Sequence, residues 1–232
     1  MTVPLYVEAR IRAGMDRLWE ATQDPAQHRR WDLRFTHIDN LDSGAGGAQR
    51  FRYGVRVLGV MLCGTGVCAG ERRGPDGGRA SALRFASPHP LSLLAEGSGY
   101  WRYVPTPHGI RFLTGYDYRP RWGWFGAFAD RLAFRPLMGW ATAWSFDRLR
   151  LWLERGIPPE RLLRRAVANI ALRAAAVIAT VALAPYSVAF CVTAGALLLP
   201  PPPATPAARR CLRRRPARVT APALLDRLET PR

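Results

Sequence analysis

The chain has 232 residues, of which 48% are hydrophobic, 10% aromatic and 22% charged. That is a globular composition and excludes wholesale disorder. Its 21 Gly and 20 Pro follow no fixed period, which excludes a collagen-like chain, and four Cys are too few for a disulfide scaffold. All 34 basic residues are Arg and the formal charge is +17; residues 1–160 carry +7 of it and residues 161–232 the remaining +10.

Residues 3–12 alternate apolar and polar side chains and predict a half-buried strand ending at Gly14. Glu8 and Arg10 interrupt this stretch, so it does not read as a signal peptide. A cytoplasmic domain is expected, with Cys63, Cys68, Cys191 and Cys211 as thiols. Met15–Thr22 reads as a short helix, and Asp24-Pro25 opens another to about Arg30. Trp31–Leu41 reads as extended, closed by Asp42–Gly47. Phe51, Tyr53, Val55 and Val57 alternate with Arg50, Arg52, Gly54 and Arg56, the pattern of an antiparallel strand with one wet face. Further strands are expected at 60–71, 79–87, 95–104 and 109–119. They are separated by Gly74-Pro75-Asp76-Gly77-Gly78, Ser87-Pro88-His89-Pro90 and Pro105-Thr106-Pro107-His108-Gly109. After Pro120 the apolar period becomes helical from about Phe125 to Arg155, with Pro136 at a start or kink and Gly156-Ile157-Pro158-Pro159 as the stop. The order predicts an α+β domain over residues 1–155, a curved antiparallel sheet wrapped around a long C-terminal helix.

The local sequence adds a resemblance. A strand ending Ile11-Arg12-Ala13-Gly14, a helix carrying Leu18-Trp19-Glu20, then Asp24-Pro25, Trp31-Asp32 and Phe51-Arg52-Tyr53 after a Gly-rich turn are similar to the SRPBCC superfamily, the START-like and birch-allergen-like proteins that include polyketide cyclases/dehydrases and lipid-transport domains. The resemblance covers about residues 3–155. It implies a helix-grip fold with an apolar cavity under the long helix, used for lipids, polyketides, isoprenoid-like or similar molecules, and leaves three functions open: ligand binding, cyclase/dehydrase-type catalysis, or a non-catalytic sensor or assembly role.

The candidate ligand-binding residues are the large aromatics expected on the concave side: Phe51, Tyr53, Trp101, Tyr103, Phe112, Tyr116 and, from the helix, Trp140 and Trp144. Rings with O–H or N–H handles suit an apolar ligand carrying a few polar groups, and equally suit core packing. His28, His37, His89 and His108 have no paired spacing, Cys63 and Cys68 fit no zinc pattern, and no Gly-x-Ser-x-Gly or phosphate-loop motif occurs. No metal, cofactor or catalytic residue is assigned; Arg34, His37, Arg84 and Asp117 read as surface or ion-paired groups. Gly64-Thr65-Gly66 reads as a bend in the sheet.

Residues 156–173 are expected to form a linker and a basic amphipathic helix, with Leu163, Val167 and Ile170 on one side and Arg161, Arg164 and Arg165 on another. Residues 174–199 are 26 uncharged residues in a row, broken by Pro185. A bilayer core of ~30 Å needs ~20 residues as one span. The stretch therefore predicts a transmembrane helix or, with Pro185 as the break, a re-entrant hairpin. Residues 200–232 read as a Pro-rich and Arg-rich tail whose partner, directly after an apolar insert, is anionic membrane lipid rather than nucleic acid. The expected location is the cytoplasmic membrane with the N-terminal domain in the cytoplasm.

Overall fold

The computed structural model describes residues 4–43, 48–57, 59–71, 74, 76–216 and 221–228. The expected turn at Gly44–Gly47, Pro75, Val3 and parts of the Arg-rich tail lie outside the described residues. The alternating segments form seven strands: β1 (Leu5–Ile11), β2 (His37–Ser43), β3 (Gln49–Val57), β4 (Val60–Glu71), β5 (Arg79–Ala86), β6 (Leu94–Thr106) and β7 (Gly109–Pro120). They pair antiparallel in the order β1-β7-β6-β5-β4-β3-β2. Strands β2 to β7 are thus a simple meander, and β1 returns to lie beside β7.

Two short helices, α1 (Met15–Gln23) and α2 (Pro25–Trp31), fill the interval between β1 and β2. The α2 start is set chemically: Asp24 accepts a hydrogen bond from the Ala26 N–H, and Pro25 needs none. Trp31 closes α2 rather than opening a strand as its sequence suggested. Its indole N–H donates to the Ala21 carbonyl at 2.8 Å, so contact with α1 overrides local propensity.

The long helix is also divided. Helix α3 (Gly123–Ala129) passes through one π-turn, Asp130–Phe134, into α4 (Arg135–Arg155). Pro136 sits in the first turn of α4, and Gly156, with φ +64°, ends it. Beyond it α5 (Pro159–Leu183) and α6 (Tyr186–Leu198) flank Pro185.

Register places the inward residues in rows across the strands. One row reads Tyr103 and Phe112 beside Ala9; the next reads Ser81, Trp101, Thr114 and Val7. Helix α4 lies on these rows. Phe146 stacks on Phe112 at 4.4 Å between ring centroids, and Trp31 reaches both Phe146 and Trp101. Each such fully buried side chain contributes about 1.5–3 kcal/mol, and this layer is the principal core. The outer face of the sheet carries smaller clusters, Tyr6–Tyr100–Leu113 and Val67–Ala82–Leu228, with Leu225 of the tail packed against both.

Candidate functional site

The concave face of the sheet divides into two halves. Under α4 it is solid: Trp101, Tyr103, Phe112 and Trp144 are buried in the core. The Tyr103 hydroxyl is also committed, 2.6 Å from the Thr22 hydroxyl and accepting from Gln23 Nε2 at 3.0 Å. Burial pushes its pKa well above the ordinary phenol range. The other half, over β3, β4 and β5, is only partly covered: Phe51, Tyr53, Leu62, Leu83 and Phe85 all retain some exposure.

Sequence explains how that half is built. Across the register Phe51 faces Gly66, Gly66 faces Phe85, Phe85 faces Gly97 and Gly97 faces Tyr118, while Tyr53 faces Gly64. Rings therefore alternate with glycines along the row. A Cβ on Gly66 would stand 2.3 Å from Phe51 Cζ, one on Gly64 2.4 Å from Tyr53 Cζ, and one on Gly97 2.6 Å from the Phe85 ring. The glycines let the rings lie flat and form an aromatic floor. Phe35 stands over it, edge-on to Tyr53 at 5.8 Å.

The wall between the two halves is polar. Asp32 is wholly enclosed and receives Arg34 through Nε at 3.0 Å and Nη2 at 2.6 Å, with His28 Nε2 3.1 Å away. Burial alone would raise the Asp32 pKa; the charge and hydrogen bonds of Arg34 and His28 outweigh it and hold the carboxyl below the usual range. The Arg34 guanidinium lies 5.6 Å from the Phe35 ring centroid and 5.5 Å from that of Tyr116, whose hydroxyl bonds Thr142 at 2.9 Å. Burial pushes the Tyr53 hydroxyl up to about 12, so it stays neutral at physiological pH, where it donates to the Ala86 carbonyl at 3.5 Å.

Of the eight aromatics singled out from sequence, Phe51 and Tyr53 form the floor, Tyr116 stands at the wall, and Trp101, Tyr103, Phe112 and Trp144 fill the core. Trp140 is 44% exposed on α4. Phe35, Phe85 and the glycine seats were missed, because the pairing that makes them a surface is visible only across strands. The polar groups weighed from sequence are ion-paired or hydrogen-bonded: Arg34 with Asp32, His37 with Asp39, Asp117 with Arg135, and Arg84 donating to the Leu225 carbonyl. Among the described residues no cluster of His, Cys, Asp and Glu could hold a metal ion. Two open clefts lie elsewhere. One of about 600 Å³ is bordered by Asp76, Arg79, Arg102, Val104 and Pro222, and one of about 540 Å³ by Glu8, Arg10, Arg150, Arg210 and Leu212; both mix charged with apolar groups.

The C-terminal third is organised as a hairpin with both ends fixed on the domain. At the start, Pro159 accepts from Arg148 Nε at 2.9 Å, and Glu160 pairs with Arg30. At the return, the Ala207 N–H donates to Asp147 at 2.8 Å, Arg210 pairs with the same carboxylate, and Leu212 exchanges two backbone hydrogen bonds with Glu8 of β1. Part of the Pro-rich and Arg-rich tail is thus docked on α4 and β1, because Asp147 is a buried acceptor. Residues 160–173, expected as a basic amphipathic helix, lie in α5. Pro159, Leu162 and Ala166 are the buried positions, whereas Leu163, Val167 and Ile170 face outward. Helix α5 is long and apolar enough to cross a bilayer; its most apolar 18-residue window has a mean hydropathy of 1.9 and is 6% buried.

A first strand, two short helices, a six-stranded antiparallel meander closing onto that strand and a long helix in its concavity constitute the helix-grip fold of the START-like proteins. No family model matches the chain. It is 48% identical over 166 residues to the uncharacterized membrane protein YndG of Bacillus subtilis (strain 168), an alignment that takes in 71% of this chain. The chain spans 62% of that relative's length. Among solved structures it is similar to a START superfamily protein from Mycobacterium smegmatis, at 14% identity over 67% of this chain and 100% of that one, with a TM-score of 0.46. It is also similar to the Zhui aromatase/cyclase from Streptomyces sp. R1128, at 16% identity over 64% and 96%, with a TM-score of 0.43.

Proposed function

We propose that this protein binds a hydrophobic small molecule on the aromatic floor of its cup and is held at a membrane by the α5–α6 hairpin. The observation that carries the reading is the half-open floor itself. A sheet that needed only a core would bring its helix over Phe51, Tyr53 and Phe85 as it does over Phe112. Here glycines instead seat rings that remain partly accessible. Flat rings with a Tyr hydroxyl and the Arg34 wall at one side suit a lipid-like, isoprenoid-like or polyketide-like molecule with a polar end.

The hairpin supports the membrane part. Arg173 on α5 donates to the Ala196, Leu199 and Pro200 carbonyls, closing the base of the uncharged stretch. Above that base, α6 has 13 residues and rises about 20 Å, against a hydrocarbon core of ~30 Å. With both ends on one domain, insertion from one face into one leaflet is the reading that satisfies length and connectivity together. Arg161, Arg164, Arg165 and the exposed Arg209, Arg213 and Arg214 of the tail then lie at headgroup depth, facing anionic lipid. The location proposed is the cytoplasmic membrane, with the domain in the cytoplasm.

The test is mass spectrometry of molecules retained by the full chain purified in mild detergent, beside Phe85→Ala and Phe51→Ala variants of unchanged circular dichroism. One class of molecule in stoichiometric amount, depleted in both variants, is expected. Equal retention by all three would reduce the lipid to an annulus around the hairpin and sink the binding reading. A retained molecule released in altered form would move the assignment to cyclase/dehydrase-type chemistry, and an empty cup to a sensor or assembly role.

A further inference from the structure

Helix α3 and the π-turn are inside out. Their fully buried positions are Gly126, whose Cα approaches the Arg121 carbonyl too closely for any side chain, and Asp130, which is 1% exposed and accepts from the Tyr118 hydroxyl and Arg135, while Phe134 is half-buried edge-on to Tyr118. Their outward positions are Trp124 at 83% exposure, Phe125, Phe128 at 60% and Leu132 at 69%. Trp122 beside them holds a left-handed backbone, φ +67°, and Leu137 and Trp140 continue the surface on α4. A soluble helix does the reverse, burying rings and hydrating its carboxylate. So contiguous a large-aromatic surface marks a contact.

The chemistry around the patch selects the partner. Between residues 121 and 140 the acidic residue is the buried Asp130, whereas Arg131 is exposed; at the patch border Arg119 is exposed and paired with Glu96. Trp and Phe bordered by Arg match the interface between acyl chains and anionic headgroups. The hairpin makes the same demand. Its apolar part is shorter than a bilayer core, and its base at Arg173 is only about two helical turns from Ala166, the last α5 residue buried on the domain. Sinking it fully draws the domain down to the headgroups. Resting on the anchor reading above, we infer that the Trp122–Leu132 patch is a second membrane contact, embedded at interfacial depth in anionic bilayer, so that the domain is held at two points and its orientation is fixed.

The experiment uses the full chain in phosphatidylglycerol-containing vesicles, with the exposed Cys63 and Cys191 changed to Ser and an environment-sensitive fluorophore on Phe128→Cys or, as reference, on Arg52→Cys of β3. A parallel sample carries the fluorophore on Cys191 alone. A blue shift at position 128 with loss of intensity on adding nitroxide-labelled lipid, absent at position 52, is expected. A label at 128 that stays as wet as the one at 52 overturns the inference. So does one that becomes shielded without nitroxide quenching, which would assign the patch to a protein contact such as a second copy. The Cys191 label reports the hairpin independently, so failure of the patch and failure of the anchor are separate results.

Discussion

Asp147 shows how one buried carboxylate redirects a whole segment. It lies inside α4 with its side chain 1% exposed and serves Arg150, Arg210 and the Ala207 N–H at once. Asp147→Ala leaves two arginines half-hydrated and one backbone donor unmet, at a cost of about 2–3 kcal/mol. A lower melting temperature is expected, together with new tryptic cleavage after Arg209 and Arg210. Asp32 behaves differently because its partners shift its titration. A carboxyl held below its unfolded value of about 3.9 contributes stability above that pH and loses it as pH falls through the folded value. Glu8, lowered chiefly by its hydrogen bonds from Arg111, adds in the same direction. Acid titration of the melting temperature should therefore stay level down to about pH 4 and fall below it. Asp32→Asn should lower the plateau and flatten the fall; an unchanged slope would remove Asp32 from the account.

At the scale of elements, the floor glycines make the sharpest demand. A Cβ on Gly97 meets the Phe85 ring at 2.6 Å and the Asp117 carbonyl oxygen at 2.7 Å. The ring can turn but the backbone cannot. Gly97→Ala is expected to destabilise by about 1–3 kcal/mol and to tilt Phe85 off the floor, measured by thermal melting and by loss of the retained molecule. This is also where sequence reading divides into what it can and cannot reach. The strands were legible because one face is wet: Phe51-Arg52-Tyr53 announces its own period. Gly64-Thr65-Gly66 reads as a bend in sequence because a glycine's partner across the sheet has no trace in the local residues. The π-turn at Asp130–Phe134 was likewise hidden, since Pro136 signals a helix start but not the extra residue before it. The exposed stripe Leu163–Val167–Ile170 marks a third limit. Amphipathicity names an apolar face without naming what it faces, and here the domain takes Pro159, Leu162 and Ala166.

For the molecule as a whole, the native thiols give a direct readout of arrangement. Cys63 on β4 and Cys191 on α6 are exposed on the protein, whereas Cys211 is buried beside the Ala143 carbonyl and its thiol is pushed up to about 12 by that burial. In membranes carrying the full chain, a membrane-impermeant maleimide at neutral pH is expected to label Cys63 from the cytoplasmic side alone. Cys191 should react only after detergent, and Cys211 only after unfolding. Labelling of Cys63 from outside would reverse the orientation, and ready labelling of Cys191 without detergent would remove the hairpin from the bilayer.

The two-bond bridge between Glu8 and Leu212 has an outcome in time as well as space. Synthesis runs from β1 towards the tail, so the first strand leaves the ribosome with its outer edge unpaired, and the residue that pairs there is made about two hundred positions later. The apolar hairpin lies between them in the chain. The cup is therefore completed after α5 and α6 have emerged, and whatever compartment receives those helices decides where the last stitch of the sheet is tied.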